Sequence, residues 1–151
     1  MTKILMVCLG NICRSPLAHG ILESKLPSDH FTVDSAGTAN YHIGKLPDHR
    51  SIAIAKAKGI DITNQRCRQF KQADFDVFDI IYVMDQSNYD NVVKLATDEN
   101  DRSKVKLILD KASQATLREV PDPYWGTEQD FEEVFNILDD VCEKIASELI
   151  K

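Results

Sequence analysis

Short, unbroken runs of apolar residues recur along the chain between more polar segments. Runs of this kind are typical of strands that are buried on both faces, as in a parallel sheet covered by helices. Residues 2–8, 79–84 and 105–109 carry such runs and are predicted to be strands, and residues 31–36, ended by Gly37, are predicted to be a further short strand. The first is the clearest, because Ile4, Leu5, Met6 and Val7 follow one another without a polar residue.

Between the strands, apolar residues recur every three or four positions, which predicts helices. The first helix follows Ser15 and Pro16, interpreted as its N-cap and its first helical residue. A second is predicted over 48–58, where Gly59 ends it, and another is predicted after Asp85, which can cap it, as can Ser87. The last helix carries an apolar stripe made of Phe131, Val134, Phe135, Leu138, Val141, Cys142, Ile145 and Leu149.

Strands that alternate with helices predict a doubly wound α/β fold, and a length of 151 residues suits a single domain over 1–151. In such folds, ligands bind beyond the carboxyl ends of the strands. Residues 8–15 follow the first predicted strand and precede the first predicted helix. We therefore expect the functional site to include them.

The composition narrows the classes of function. With 18 basic and 24 acidic residues, the net charge is −6, which disfavours a nucleic-acid partner because phosphate binding needs a basic face. No run of about 18 apolar residues is present, so no membrane span is predicted, and residues 1–9 do not resemble a signal peptide. Four cysteines show no disulfide framework in a chain of this size, which predicts a reducing, cytoplasmic location.

Cys8 and Arg14 are separated by five residues in a loop that opens a helix. Backbone N–H groups of such a loop, with the positive end of the helix dipole, form an anion site. Gly10 allows the tight curl, and the guanidinium of Arg14 matches two phosphate oxygens. The same field favours a thiolate at Cys8, suited to displacement at phosphorus through a cysteinyl-phosphate. The alternative is a strand-end cysteine packed as a small apolar residue beside an unrelated arginine, which the strand–loop–helix context disfavours.

The departing oxygen of a phosphate ester needs a proton, and Asp122 is the candidate general acid. Pro121 and Pro123 stiffen its loop and restrict it to extended conformations, although an ordinary turn residue remains the alternative. Tyr124 and Trp125 either stack on a substrate ring or pack onto the last helix. The four histidines, His19, His30, His42 and His49, are predicted to be surface residues.

Three segments in order carry a resemblance to a known family: Val-Cys-Leu-Gly-Asn-Ile-Cys-Arg-Ser-Pro at 7–16, Asp-Ser-Ala-Gly-Thr at 34–38 and Asp-Pro-Tyr-Trp-Gly at 122–126. The sequence resembles the low-molecular-weight protein tyrosine phosphatases over nearly its whole length. The resemblance implies a four-stranded parallel sheet with helices on both faces, the phosphatase-I-like fold, and no metal or cofactor. It also implies a phosphotyrosine protein substrate, with a tyrosine kinase of a polysaccharide-export operon as one candidate. Inorganic phosphate would be product and inhibitor.

The resemblance also assigns residues. It makes Cys8 the nucleophile, Arg14 the transition-state binder, and Asp122 the general acid and then the general base. Leu9, Gly10, Asn11, Ile12, Cys13 and Ser15 would surround the phosphate. Asn11, Ser15 and Ser35 would hold the loop by hydrogen bonds, Ser15 would assist the Cys8 thiolate, and Cys13 could form a reversible disulfide with Cys8. Tyr41 and Trp125 would wall a slot for the phenyl ring, with His42 and Tyr124 near its rim.

Three positions depart from the pattern of some members: His19 replaces an acidic residue, Gln65 falls near a loop-supporting histidine, and Tyr41 replaces a tryptophan. They bear on specificity rather than on the reaction.

The sequence disfavours two rival functions. An arsenate reductase on the same fold needs two further neighbouring cysteines to pass a disulfide outward, whereas Cys67 and Cys142 are far apart in sequence. A non-catalytic phosphate- or nucleotide-binding module would not need the pairing of Cys8 with Asp122. The glycine-rich nucleotide motifs Gly-x4-Gly-Lys-Ser/Thr and Gly-x-Gly-x-x-Gly are also absent.

Overall fold

The computed structural model describes residues 1–112 and 118–151. Its described residues form a four-stranded parallel sheet in the order β2-β1-β3-β4. The strands are Thr2–Cys8 (β1), Phe31–Gly37 (β2), Ile80–Val83 (β3) and Val105–Leu107 (β4). From β1 the chain passes to β2 on one side of β1, and it then crosses to β3 on the other side of β1. The direction of winding therefore reverses between β1 and β3, and the carboxyl ends of these two strands flank that point. Ligands of doubly wound sheets bind at this point.

Helices cover both faces of the sheet. Within the described ranges they are Arg14–Lys25 (α1), His49–Ala57 (α2), Asp74–Val77 (α3), Gln86–Val93 (α4), Glu99–Ser103 (α5) and Glu128–Ile150 (α6), with a 3₁₀ turn over Ile108–Lys111. Ile4 and Met6 of β1 pack in one core cluster with residues of α1 and α6. Leu5 and Val7 pack in the opposite cluster, with residues of α3 and α4. Because successive strand residues point to opposite faces, the unbroken apolar run of β1 fills both cores.

The predicted start of the first helix was wrong by two residues. The helix begins at Arg14, Cys13 occupies the N-cap position, and no side chain caps it. Ser15 does not serve as the cap because its hydroxyl bonds with groups of the preceding loop. Pro16 is accommodated in the first turn, where the backbone N–H groups have no helical partner.

Two further differences concern short elements. The predicted strand 105–109 ends at Leu107, and its last two apolar residues, Ile108 and Leu109, are buried in the 3₁₀ turn instead. The sequence analysis assigned neither α3 nor α5, which have four and five residues and therefore too few positions to show a helical period. Within the described ranges, none of the helices has the length and apolar character needed to cross a membrane.

Candidate active site

Residues 8–14, here called the anion loop, curl around the thiol of Cys8 at the end of β1. Asn11 has a φ of 57°, and its backbone N–H donates to Sγ of Cys8 at 3.3 Å. The hydroxyl of Ser15 lies 3.1 Å from the same sulfur. A hydroxyl and an N–H directed at sulfur favour a negative charge there.

The side chain and the carbonyl of Asn11 connect the anion loop to its surroundings. Its Nδ2 donates to Oγ of Ser15 at 2.8 Å, and its Oδ1 accepts from the backbone N–H of Arg68 at 3.0 Å. Its carbonyl oxygen accepts from Sγ of Cys67 at 2.8 Å. Asparagine is one of the few residues that adopt a positive φ readily, and these bonds hold it there.

Cys67 was not predicted to support the loop. Burial and the neighbouring Cys8 raise the pKa of the Cys67 thiol to about 11, so at neutral pH this thiol keeps the proton that it donates. No sequence pattern indicates this role, because Cys67 lies 56 residues from Asn11 and outside any recognisable motif.

Gly37 was interpreted only as the end of the second strand, but the anion loop rests against it. Its Cα pairs with that of Cys8 across the two strands. A Cβ at this position would lie 2.8 Å from the carbonyl oxygen of Leu9 and 3.0 Å from the backbone nitrogen of Asn11. Both neighbours are backbone atoms, so a larger residue would push the loop away from the end of β2.

Arg14, at the start of α1, is 2% exposed and is held by two oxygens. Its Nη1 donates to Oδ2 of Asp85 at 2.7 Å and to the carbonyl oxygen of Val120 at 3.0 Å. Burial opposes the charge of this guanidinium, but the nearby charge of Cys8 and the hydrogen bond to Asp85 outweigh it and raise the pKa of Arg14. The arginine is therefore a permanent, oriented cation beside the thiol.

Asp85 was predicted as a helix cap and is one: it accepts from the backbone N–H of Asn88. Its contact with Arg14 was missed. The position itself was a usable signal, since Asp85 follows β3 closely and β3 neighbours β1 in the sheet.

Residues 120–126, here called the acid loop, bring Asp122 to the same place. The backbone N–H of Val120 donates to the carbonyl oxygen of Met84, at the end of β3. Oδ1 of Asp122 accepts from the backbone N–H of Tyr124 at 3.1 Å, and its Oδ2 lies 3.7 Å from Nη2 of Arg14. The side chain of Asp122 is 41% exposed, so solvent and a ligand can reach it.

A cleft of about 330 Å³ opens above the thiol. It is lined by Cys8, Leu9, Gly10, Ile12, Cys13, Arg14, Tyr41, His42, Asp122, Tyr124 and Trp125. Eleven of the fourteen predicted site residues therefore share one cleft. The side chains of Asn11 and Ser15 do not line it and are hydrogen-bonded to each other. Trp125 is 92% exposed and stacks edge-on with Tyr124, so it does not pack against α6 as the alternative interpretation held.

The prediction that all four histidines lie on the surface was wrong for His19, which is buried. Its Nδ1 lies 3.2 Å from Oγ of Ser35, and its Nε2 lies 3.5 Å from a carboxylate oxygen of Glu23. Gln65 donates to the carbonyl oxygen of Pro16 at 3.1 Å. His19 lies among apolar residues of α1. It can be buried there because Ser35 and Glu23 are polar partners for its imidazole, which the sequence pattern did not reveal.

The four cysteines, all within the described ranges, are free thiols. Burial, followed by the charges of Asp48 and Cys8, raises the pKa of Cys13, so this thiol is protonated at neutral pH. Cys67 contacts the anion loop, whereas Cys142 lies in the core near the carbonyl of Ala18. The pair of neighbouring cysteines that an arsenate reductase would need is therefore not formed by these two.

Comparison with known proteins agrees with this geometry. The model of the family described as low molecular weight phosphotyrosine protein phosphatase matches residues 3–151. The low molecular weight phosphotyrosine protein phosphatase of Saccharomyces cerevisiae is 39% identical over 137 residues, which cover 86% of this chain and 84% of the yeast protein.

Solved structures show the same likeness. The crystal structure of a protein tyrosine phosphatase from Entamoeba histolytica, with Hepes in its active site, superimposes with a TM-score of 0.92 at 36% identity, covering 99% of this chain and 97% of that one. Wzb of Vibrio vulnificus, in complex with benzylphosphonate, gives a TM-score of 0.87 at 31% identity, covering 97% and 98%. The chain therefore belongs to the low molecular weight phosphotyrosine protein phosphatase family and is a protein tyrosine phosphatase, a phosphoric monoester hydrolase.

Proposed function

We propose that this enzyme hydrolyses phosphotyrosine in proteins through a cysteinyl-phosphate intermediate. Cys8 is the nucleophile, Arg14 binds the transferring phosphoryl group, and Asp122 is the general acid and base. The observation that carries the proposal is that the Cys8 thiol, the Arg14 guanidinium and the Asp122 carboxyl group line one cleft. Each of these groups has a separate task at phosphorus, and hydrolysis needs all three.

In the first step, the thiolate of Cys8 attacks phosphorus while the bond from phosphorus to the tyrosine oxygen breaks. Asp122 gives its proton to that oxygen, so that neutral tyrosine leaves. Negative charge spreads over the three equatorial oxygens, which Arg14 and the backbone N–H groups of the anion loop neutralise. The bond from Arg14 to Asp85 keeps the guanidinium oriented before the substrate arrives.

In the second step, the carboxylate of Asp122 takes a proton from water, and the resulting hydroxide attacks phosphorus. The sulfur–phosphorus bond breaks, which regenerates the thiolate and releases inorganic phosphate. The hydroxyl of Ser15, 3.1 Å from Sγ, stabilises the thiolate as a leaving group. Because phosphate occupies the same loop as the substrate's phosphoryl group, it inhibits competitively.

The preference for aryl esters follows from the depth of the site. Cys8 is only 3% exposed, whereas Tyr41 and Trp125, which line the same cleft, are largely exposed at its mouth. A phenyl ring spans that depth and offers its faces to both aromatic side chains, and a phosphoserine side chain is too short. The benzylphosphonate held by Wzb of Vibrio vulnificus, an aryl compound with a tetrahedral phosphorus group, supports this choice.

The physiological substrate is a phosphotyrosine protein, and a tyrosine kinase of a polysaccharide-export operon is the candidate that the family suggests. The enzyme works only while its nucleophile is a reduced thiolate, which supports a location in the reducing cytoplasm.

The decisive experiment combines substrate choice with trapping of the intermediate. Phosphotyrosine and phosphoserine forms of one peptide are compared, and the enzyme is quenched in acid during turnover for mass spectrometry. We expect turnover of the phosphotyrosine peptide alone and a phosphate adduct on Cys8. Cys8→Ser should abolish both signals, and Cys142→Ala, which changes a buried cysteine away from the cleft, should abolish neither. Equal turnover of both peptides, or turnover by Cys8→Ser, would overturn the proposal.

A further inference from the structure

Arg50, in the first turn of α2, holds the acid loop by its backbone. Nη2 of Arg50 donates to the carbonyl oxygen of Tyr124 at 2.9 Å, and Nη1 reaches the carbonyl oxygen of Gly126 at 3.3 Å. Two N–H groups of one planar guanidinium thus bind two carbonyl oxygens of a single turn. The ammonium group of a lysine would not match this geometry equally well.

The guanidinium of Arg50 is itself fixed from two other directions. Asp48 accepts from Nε and from Nη2, at 3.1 Å each, through its two carboxylate oxygens. The guanidinium carbon lies 4.4 Å from the centre of the Phe131 ring, at the start of α6. An ion pair and an aromatic face therefore orient the plane that meets the acid loop.

The same end of α2 is also bonded to the anion loop. The backbone N–H of Asp48 donates to the carbonyl oxygen of Ile12 at 2.8 Å, and Oγ of Ser51 reaches the carbonyl oxygen of Cys13 at 3.4 Å. Residues 48–51 thus contact both loops that form the cleft. They set the distance between the segment that carries the thiol and the segment that carries Asp122.

We propose that Arg50 is a positioning residue for the general acid. Tyr124 is the link, because its carbonyl accepts from Arg50 while its backbone N–H donates to the carboxylate of Asp122. Holding this residue in place fixes where the carboxylate stands over the thiol. The inference rests on the proposed role of Asp122. Arg50 itself is not among the described residues that line the cleft, and it acts through the acid loop.

The placement matters because, among the described residues, Asp122 has few other restraints. Its side chain is 41% exposed, and its other contact, with Nη2 of Arg14, is long at 3.7 Å. A shift of about 1 Å in a reacting group can cost on the order of 100-fold in rate. The two prolines beside Asp122 limit its backbone angles but do not fix the loop relative to α2 or to the anion loop.

The test is a comparison of Arg50→Met and Arg50→Lys on two substrates, phenyl phosphate and nitrophenyl phosphate. The phenolate of the first leaves poorly without a proton, whereas nitrophenolate leaves readily, so a misplaced acid slows the first far more. We expect the single-turnover rate of phosphoryl transfer to Cys8 to fall about 10- to 100-fold on phenyl phosphate in both variants and a few-fold at most on nitrophenyl phosphate. Single-turnover conditions are used because hydrolysis of the cysteinyl-phosphate is common to both substrates. Lysine is expected to fail because one ammonium cannot meet both carbonyls and Asp48 in the same plane.

Two readouts separate positioning from a general structural role. The inhibition constant for inorganic phosphate should stay close to that of the wild type, because the anion loop is intact. Arg50→Met introduced into the Asp122→Asn variant should cause little further loss on phenyl phosphate, because the group that it positions has been removed. Arg102→Met, an exposed arginine of α5 paired with Glu99, is the control and should behave as wild type.

Each outcome has one meaning. If Asp122→Asn slows phosphoryl transfer from both substrates equally in single turnover, the proposed role of Asp122 as general acid fails, and the inference fails with it. If Asp122→Asn shows the selective loss and the Arg50 variants do not, the role of Asp122 stands and the inference is overturned. An equal loss on both substrates with weakened phosphate inhibition, or a full further loss in the double variant, also overturns the inference, since Arg50 would then support the fold or the anion loop.

Discussion

Asp85 holds Arg14 through one carboxylate oxygen, 2.7 Å from Nη1, while its other oxygen accepts from the backbone N–H of Asn88 at 2.8 Å. One side chain thus begins α4 and orients the cation of the anion loop. The end of β3, which bears Asp85, is thereby joined to the end of β1, which bears the thiol.

This relationship predicts that Asp85→Asn lowers kcat/KM about 10- to 100-fold, since a hydrogen bond between ionised partners contributes roughly 1.5–3 kcal/mol and the amide, with its one oxygen on α4, turns its NH2 toward the guanidinium. Asparagine still offers an oxygen to the N–H of Asn88, so the helix start and the melting temperature should change little. Asp98→Asn is the matched control, because Asp98 caps α5 in the same way. Steady-state kinetics that show the same loss in both variants would contradict a specific role of Asp85.

Cys67 predicts an effect on phosphate affinity. Cys67→Val keeps an apolar side chain but removes the donor to the carbonyl oxygen of Asn11, and an unsatisfied buried carbonyl costs about 1–3 kcal/mol. Part of that cost should appear as weaker phosphate inhibition, because Asn11 can then leave its positive φ. Cys67→Ser retains a donor and should recover most of the affinity.

The measurement for Cys67 is the inhibition constant of inorganic phosphate for each variant, with Cys142→Ala as the control cysteine. Equal phosphate affinity in Cys67→Val and Cys67→Ser would show that the thiol's hydrogen bond is not what holds the loop.

Gly37→Ala should damage the site as well as the fold. The new Cβ would meet the carbonyl oxygen of Leu9 at 2.8 Å, and backbone crowding of this kind costs about 1–3 kcal/mol. Gly44→Ala is a useful comparison, since Gly44 has a φ of +83° but nothing within 4 Å of an added Cβ. Both variants should melt at lower temperature, and Gly37→Ala alone should lose activity and phosphate affinity.

How far the sequence predicted this molecule depends on how local each feature is. β1 and α6 were predicted closely because each has a clear local pattern. In β1 this is an unbroken apolar run, and in α6 it is a long apolar stripe with helical spacing. The last two residues of the segment 105–109 were assigned to a strand because Ile108 and Leu109 are apolar, and burial alone does not distinguish a strand from a 3₁₀ turn. Helices of four or five residues, such as α3, have no period to detect.

The same distinction applies to the site. Cys8, Arg14 and Asp122 were predicted because they belong to short segments whose spacing has a chemical reason. Gly37 and Asp85 reach the anion loop because β2 and β3 pair with β1 in parallel. Cys67 reaches it from outside the strands, through backbone hydrogen bonds with Gly44 and Lys45. His19 shows the reverse error, since a polar residue on a buried helix face was interpreted as exposed when Ser35 and Glu23 in fact provide partners for both ring nitrogens.

The raised pKa of Cys13 predicts how its disulfide with Cys8, proposed from the family resemblance, should depend on pH. A thiol whose pKa lies above its ordinary value is protonated at neutral pH, and the fraction present as thiolate grows as the pH rises toward that pKa. After peroxide converts Cys8 to a sulfenic acid, closure of the disulfide should therefore be slow near neutrality and faster at alkaline pH. Burial and the charge of Asp48 still oppose ionisation once Cys8 is oxidised.

The check on Cys13 is mass spectrometry of the 8–13 disulfide after a brief peroxide pulse at several pH values, with Cys13→Ser as the control that cannot form it. Recovery of activity on adding a thiol should follow the disulfide yield, and Cys13→Ser should recover less at every pH. A closure rate that does not change between neutral and alkaline pH would show that Cys13 reacts without ionising.

Trp125 provides the most selective test of how the cleft chooses aryl phosphates. It is 92% exposed and meets Tyr124 edge-on, with ring centroids 4.8 Å apart, so its removal should leave the melting temperature unchanged. An aromatic contact contributes about 0.5–1.5 kcal/mol, so Trp125→Ala should weaken kcat/KM for phosphotyrosine peptides by roughly two- to tenfold. Phosphate inhibition should be unaffected, because the anion loop is untouched. Trp125→Phe keeps a ring at the mouth of the cleft and should restore most of the loss. If Trp125→Ala instead weakened phosphate inhibition by the same factor as peptide hydrolysis, the side chain would be supporting the acid and anion loops, and recognition of the phenyl ring would have to come from Tyr41 and the remaining walls of the cleft.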